Sequence, residues 1–307
     1  MHARKTLLAV AVAVALIAPT AGCSATTTPA ANGRIVAVGV ENQYGSVISQ
    51  LGGRYVTTSS ILSNPNTDPH TFEASAQVAT TISAASLIVQ NGLGYDSFMS
   101  KLEAASPNPS RIVITAQTAL HLPDSTRNPH LWYSPTTMPV VAKRIVTALD
   151  KLQPSHRAYF AANLAAFDKS LTVWTEKIAA FKSAHPGVPV ATTEPVADYL
   201  LQAAGVDNRT PWALQAAIMN DTDPAPQDVA TQNALLSGGK VKVFVYNEQV
   251  TDSITANYLK LAKAAHIPVV GVYETMPTDG FTYQTWMEAE LKALNAAITS
   301  GKSTGKL

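Results

Sequence analysis

The sequence predicts an α/β protein: two doubly wound parallel-sheet lobes joined by one long rigid helix. Three observations predict it. Short apolar runs rich in Val and Ile recur and alternate with stretches of helical spacing, the pattern of strands buried on both faces of a parallel sheet. In the middle, from Ser155 to about Ser183, that alternation gives way to one helical stretch carrying Tyr159, Leu164, Phe167, Leu171, Trp174, Ile178 and Phe181. At 1.5 Å per residue it spans about 40 Å, which suits a spacer between lobes better than a crossover helix. After Pro186-Gly187 the strand–helix alternation resumes.

The elements follow in order. His2, Arg4 and Lys5 precede an unbroken apolar run, Leu7 to Ile17, and small residues lead to Thr20-Ala21-Gly22-Cys23. This is the pattern of a secretory signal, too short for a comfortable membrane span. Ala21-Gly22-Cys23 resembles a lipobox, with Thr20 where an aliphatic residue is more usual. Cleavage there leaves Cys23 as a lipid-modified N-terminus, so the mature chain is expected outside the cytoplasm, anchored to the membrane. Cys23 is the sole cysteine, which excludes an internal disulfide. A polar tether follows. The expected division is signal 1–22, tether 23–33, first lobe 34–135, helical region 136–185, second lobe 186–300 and tail 301–307.

In the first lobe, Arg34 to Val40, Leu87 to Gly92 and Arg111 to Ala116 read as strands, and Tyr44 to Leu51 as a helix stopped by Gly52-Gly53. Thr136 to Leu152 is helical, and Pro154 sits where the long helix starts. In the second lobe, Val188 to Thr193, Val241 to Tyr246 and Ile267 to Tyr273 read as strands. Val196 to Ala204, Ile254 to Ala265 and Tyr283 to Ile298 read as helices, and Asp221 to Asp228 as a loop. Charged residues make up 14% and the net charge is +1, against about 25% charged in average domains. With no basic block or basic-aromatic stripe, nucleic acid is not expected as a partner. A monomer is expected.

The chemistry begins with two matching frames, Asp68-Pro69-His70 and Asn128-Pro129-His130, each with an aromatic two residues on (Phe72, Trp132). Proline fixes its own φ and holds the preceding residue extended, so each histidine has little backbone freedom left to lose. Imidazole is the commonest protein ligand for transition metals, and two so presented make half of a metal site. Asp68 and Asn128 are placed to orient the imidazoles or cap their loops. In the second half, two acidic residues directly follow apolar strands, Glu194 and Glu274, and ligands in open parallel sheets bind beyond the carboxyl ends of strands. Two carboxylates and two imidazoles form a four-ligand set that is neutral with a divalent cation bound. Pro195 is expected at the first position of the next helix, which places Glu194 near a positive helix end. His121, His156, His185 and His266 read as structural.

At these residues the chain resembles the metal-binding lipoproteins of bacterial zinc and manganese ABC transporters, the cluster A-I receptors. The resemblance is carried by Val40-Glu41-Asn42 with Tyr44-Gly45, Asp68-Pro-His-Thr-Phe-Glu73, Asn91-Gly-Leu-Gly94 with Asp96, Asn128-Pro-His-Leu-Trp132 and the long central helix. It implies metal ligands at His70, His130 and Glu194, and a fourth at Glu274, with Asp279 the alternative. It also implies a site in the inter-lobe cleft, Zn²⁺ or Mn²⁺ as transported ligand, an ABC-transporter permease as partner, and no enzymatic activity. The His- and acid-rich insertion of many zinc-selective members is absent between Thr115 and Arg127. Ligand type alone leaves the metal open, since such a set binds Zn²⁺ more tightly than Mn²⁺ in any case. The rival readings are a metallohydrolase, for which no His-Glu-x-x-His helix exists, a receptor for a chelated metal or corrinoid, and a cell-adhesion module.

Overall fold

The structure, a computed structural model, describes residues 33–277 and 280–307. The signal, Cys23 with its expected lipidation, and Asp279 lie outside the described residues. Among these residues, eight strands form two sheets. The first contains β1 (Ile35–Glu41), β2 (Val56–Leu62), β3 (Leu87–Gln90) and β4 (Ile112–Thr115). The second contains β5 (Pro189–Thr192), β6 (Asp207–Asn208), β7 (Val243–Asn247) and β8 (Val269–Val272). Every pairing between them is parallel. The orders, β2-β1-β3-β4 and β6-β5-β7-β8, are the same topology twice. In each sheet the connections diverge between the first and third strands. Such a switch point opens a crevice at the carboxyl end of the sheet, and Glu194 and Asn247 flank it in the second lobe.

Among the described residues, eleven helices accompany the sheets: α1 (Asn42–Gly52), α2 (Ala76–Ala84), α3 (Phe98–Ala105), α4 (Ala116–Ala119), α5 (Thr137–Leu152), α6 (Arg157–Ala184), α7 (Asp198–Ala203), α8 (Trp212–Met219), α9 (Pro226–Ser237), α10 (Ser253–Ala264) and α11 (Tyr283–Ser300). The two-lobed α/β fold expected from the sequence is the fold observed. The edge strands β2 and β6 are not evident in the sequence. Val-Thr-Thr-Ser-Ser-Ile-Leu is buried only at its two ends and lacks a continuous apolar run, and β6 is two residues long.

Two local expectations are corrected. The loop expected over Asp221 to Asp228 ends early, because Pro226 opens α9, a position proline favours. The helix after Glu194 begins at Asp198 rather than Pro195. Asp198 N donates to Pro195 O at 3.2 Å, so an intervening turn separates Glu194 from the helix end.

The long helix α6 runs 28 residues and buries Phe160, Phe167, Leu171, Trp174, Ile178 and Phe181. Their three-, four- and seven-residue steps make one stripe along the helix, each side chain contributing about 1.5–3 kcal/mol by burial. That stripe joins one apolar core shared by both lobes, reaching from Val47 and Ile48 of α1 to Trp286 and Leu294 of α11. Hydrogen bonds also tie the lobes. Asn42 Nδ2 donates to Met276 O at 2.7 Å while Met276 N donates back to Asn42 Oδ1 at 3.0 Å, and Tyr283 OH donates to Trp132 O at 2.6 Å. Gly39 lets α1 come this close to the sheet, since a Cβ there would collide with the backbone of Gly45. Among the described residues no helix is long and apolar enough to cross a membrane.

Candidate metal centre

Both Pro-His frames fold as the same device. In Asp68-Pro69-His70, Asp68 Oδ1 accepts the His70 backbone N–H at 2.8 Å and a 3₁₀ turn spans Pro69–Thr71. In Asn128-Pro129-His130, Asn128 Oδ1 accepts the His130 N–H at 3.0 Å ahead of a 3₁₀ turn over Leu131–Tyr133. An Asx side chain two residues before an N–H closes a local ring, and the intervening proline pre-sets its φ. Asn128 does more. Its Nδ2 donates across the cleft to Pro195 O at 2.8 Å, and its Oδ1 lies 2.7 Å from His130 Nδ1. The two backbone partners assign the amide's orientation, and with it the tautomer. Nδ1 of His130 carries hydrogen, and Nε2 of the neutral ring is a lone pair.

That lone pair faces the second lobe. His130 Nε2 stands 3.1 Å from Glu274 Oε2, and His70 Nε2 stands 3.0 Å from the same oxygen. The three residues form a group whose ligand atoms all lie within 4.8 Å of one another. A lone pair opposite a carboxylate oxygen is repulsive unless a proton or a cation lies between them. Tyr95 OH donates to the same oxygen at 3.0 Å, and its ring packs edge-on against both imidazoles. Trp132, fully buried, covers His130 from another side.

Glu274 follows β8, and Gln249 fixes its backbone by accepting Glu274 N–H at 2.6 Å and Thr275 N–H at 2.8 Å. Glu194 follows β5, is 2% exposed, and lies outside the three-residue group. Asn247 links the two carboxylates: its Nδ2 donates to Glu194 Oε1 at 3.1 Å and to Glu274 Oε1 at 2.8 Å. Glu194 Oε2 is buried with no hydrogen-bond partner among the described residues.

The electrostatics follow from burial against pairing. Burial alone lowers the His70 pKa, but Glu274, Asp68 and Glu194 outweigh it and raise it to about 9. His130 is lowered, because its complete burial outweighs the pull of Glu274. Burial pushes Glu274 up, but His70 and His130 hold it below the usual carboxylate range. Glu194 is raised well above that range by burial and by its neighbour Glu274. Outside the group, beside Asp68, a cavity of about 270 Å³ is lined by Asp68, Asp221, Asp223 and Asp252. The side chain of His70, 23% exposed, is the least covered of the three.

Sequence reading missed Tyr95, Asn247 and Gln249. The last two sit directly after the apolar run of β7, where a search for neutral as well as acidic strand-end residues finds them. The remaining histidines lie elsewhere: His156 stacks on Tyr55 with ring centroids 3.7 Å apart, His185 bonds Asn295, and His121 and His266 occupy left-handed turn positions.

The family described as zinc-uptake complex component A, periplasmic, matches residues 38–297. The chain belongs to this family. The zinc-uptake component A family comprises solute-binding receptors of metal ABC transporters rather than enzymes, so the resemblance carried by the Pro-His motifs is borne out. FimA, the metal ABC transporter substrate-binding lipoprotein of Streptococcus parasanguinis, is 23% identical over 288 residues, covering 87% of this chain and 88% of FimA. The crystal structure of ZnuA superposes with a TM-score of 0.72 at 20% identity, covering 87% of this chain and 100% of that one. FpvC of Pseudomonas aeruginosa, solved with Ni²⁺, gives 0.71 at 21% identity, covering 88% and 99%. At these identities the two structures show a shared fold.

Proposed function

We propose that this chain captures Zn²⁺ or Mn²⁺ in the inter-lobe cleft and hands it to an ABC-transporter permease. His70, His130, Glu194 and Glu274 are its ligands. The observation that carries this reading is the convergence of His70 Nε2 and His130 Nε2, at 3.0 and 3.1 Å, on one oxygen of Glu274. Asn128 holds the His130 lone pair toward that point, the outer-sphere arrangement that orients metal-bound imidazoles. Two imidazoles and two carboxylates suit borderline divalent cations. The names of FimA and ZnuA and the nickel held by FpvC support the same class of cargo. The aspartate-lined cavity at Asp68 attracts cations to this part of the surface.

The receptor acts as a monomer outside the cytoplasm, tethered by a lipid on Cys23, with lobes 34–135 and 186–300 joined through the helical region 136–185. It binds no nucleic acid. The core that α6 shares with both lobes opposes wide hinge opening, so release proceeds by movement of the ligand loops. Calorimetry of the mature protein tests the site. Tight zinc binding is expected in the wild type and its loss in the combined His70→Ala, His130→Ala variant. Binding that survives both changes refutes the assignment.

A further inference from the structure

Asn247 ends β7 with its side chain between the two carboxylates of the second lobe. It is 1% exposed and fixed from three directions: its backbone N–H donates to Thr193 Oγ1 at 3.0 Å, its Oδ1 accepts Gln249 N–H at 3.1 Å, and its Nδ2 donates to both glutamates. An amide nitrogen has two hydrogens and accepts nothing, so both are committed. The carboxylates are gripped alike, each by Oε1. Each keeps one other oxygen: Glu274 Oε2 faces the two imidazoles, and Glu194 Oε2 is buried without a hydrogen-bond partner among the described residues.

We propose that Asn247 is a specificity-determining residue that restricts Glu194 and Glu274 to one oxygen each, so that with His70 and His130 they offer a cation four ligand atoms. The inference rests on the metal-capture reading above. Two nitrogens and two single carboxylate oxygens match the tetrahedral preference of Zn²⁺. Mn²⁺ favours a larger, oxygen-rich, six-coordinate shell, and from these side chains it can reach that number only through the Oε1 atoms that Asn247 holds. Asn247 thus works through the carboxylates, without touching the metal, and sets how many oxygens they present.

The test uses the mature protein as wild type, Asn247→Ala and Asn247→Ser. Serine keeps a hydroxyl near the Gln249 N–H but is too short to bridge two carboxylates. Zn²⁺ and Mn²⁺ affinities are measured by chelator competition, and Co²⁺ absorption reports coordination number, intense for four ligands and weak for six. The wild type is expected to give the intense spectrum. In the variants the Co²⁺ bands weaken, and the preference for Zn²⁺ over Mn²⁺ narrows by about tenfold or more, in line with outer-shell effects of about 10–100-fold. A six-coordinate Co²⁺ spectrum in the wild type overturns the proposal even if neither variant folds. So does a folded variant that loses affinity for both metals equally, or that keeps both the ratio and the spectrum. Zinc binding that survives the His70→Ala, His130→Ala change overturns the capture site itself, and the proposal with it.

Discussion

Metal capture at this site has to displace a proton from His70, and the size of that effect follows from the geometry. Glu274 Oε2, 3.0 Å from His70 Nε2, holds the imidazole protonated up to a pKa of about 9 in the metal-free protein. Proton and metal compete for the same nitrogen, so affinity rises with pH until His70 deprotonates unaided. Between pH 6 and pH 8 that competition alone raises the apparent affinity about 90-fold, against about fourfold for a histidine at the ordinary value of about 6.5. Glu194 is itself raised above the usual carboxylate range by burial and by its neighbour Glu274. At pH 7 His70 itself yields about one proton per metal, whereas an ordinary histidine yields about a quarter. Calorimetric titration at pH 7 in buffers of different ionisation enthalpy counts the protons, and chelator competition from pH 6 to 8 measures the slope. Glu274→Gln removes the carboxylate that holds the proton, and the His70 share should fall toward the ordinary value. A wild-type rise of only about fourfold, with a fraction of a proton released, refutes the His70–Glu274 argument.

Three further outcomes are expected. Changing Asp221, Asp223 and Asp252 together to Asn removes charge from the cavity at Asp68; the association rate for metal should fall, most at low ionic strength, while the dissociation rate stays nearly constant, as stopped-flow measurement can check. Glu290 is buried, bonded by Trp286 Nε1 and Tyr133 OH, and pushed by burial up to about 8. A raised carboxyl adds stability that is complete below about pH 4.5 and is lost as pH climbs toward 8, so Glu290→Gln should gain relative stability at pH 8, by up to about 4 kcal/mol; equal unfolding-temperature differences at pH 5 and pH 8 would contradict this. Trp174→Ala opens a cavity where α6 packs on Tyr283 and should cost about 3–5 kcal/mol in denaturant unfolding, with a loss under 1 kcal/mol counting against the spine role of α6.

What the sequence determined by itself is local. Apolar runs mark β1, β3, β4, β5, β7 and β8, because a strand covered on both faces must be apolar throughout and even the half-covered β4 keeps such a run. The stripe of α6 is visible because its period is that of a helix. The two Asx-Pro-His turns are legible because their closing hydrogen bonds span two residues and depend on no distant partner. Strands β2 and β6 escape notice because the Thr- and Ser-rich β2 has no continuous apolar run and β6 is only two residues long. Only the tertiary structure decides which strand ends meet. Glu274 converges with His70 and His130 across separations of 204 and 144 residues, through a shared core that no window of sequence contains. It also decides that Glu194 stands one amide away from that group, and that Asn247, an ordinary strand-end asparagine in the sequence, is the side chain bonded to both glutamates. Its role depends on two acceptors brought within reach of one nitrogen, a fact of distance in space that spacing along the chain does not encode.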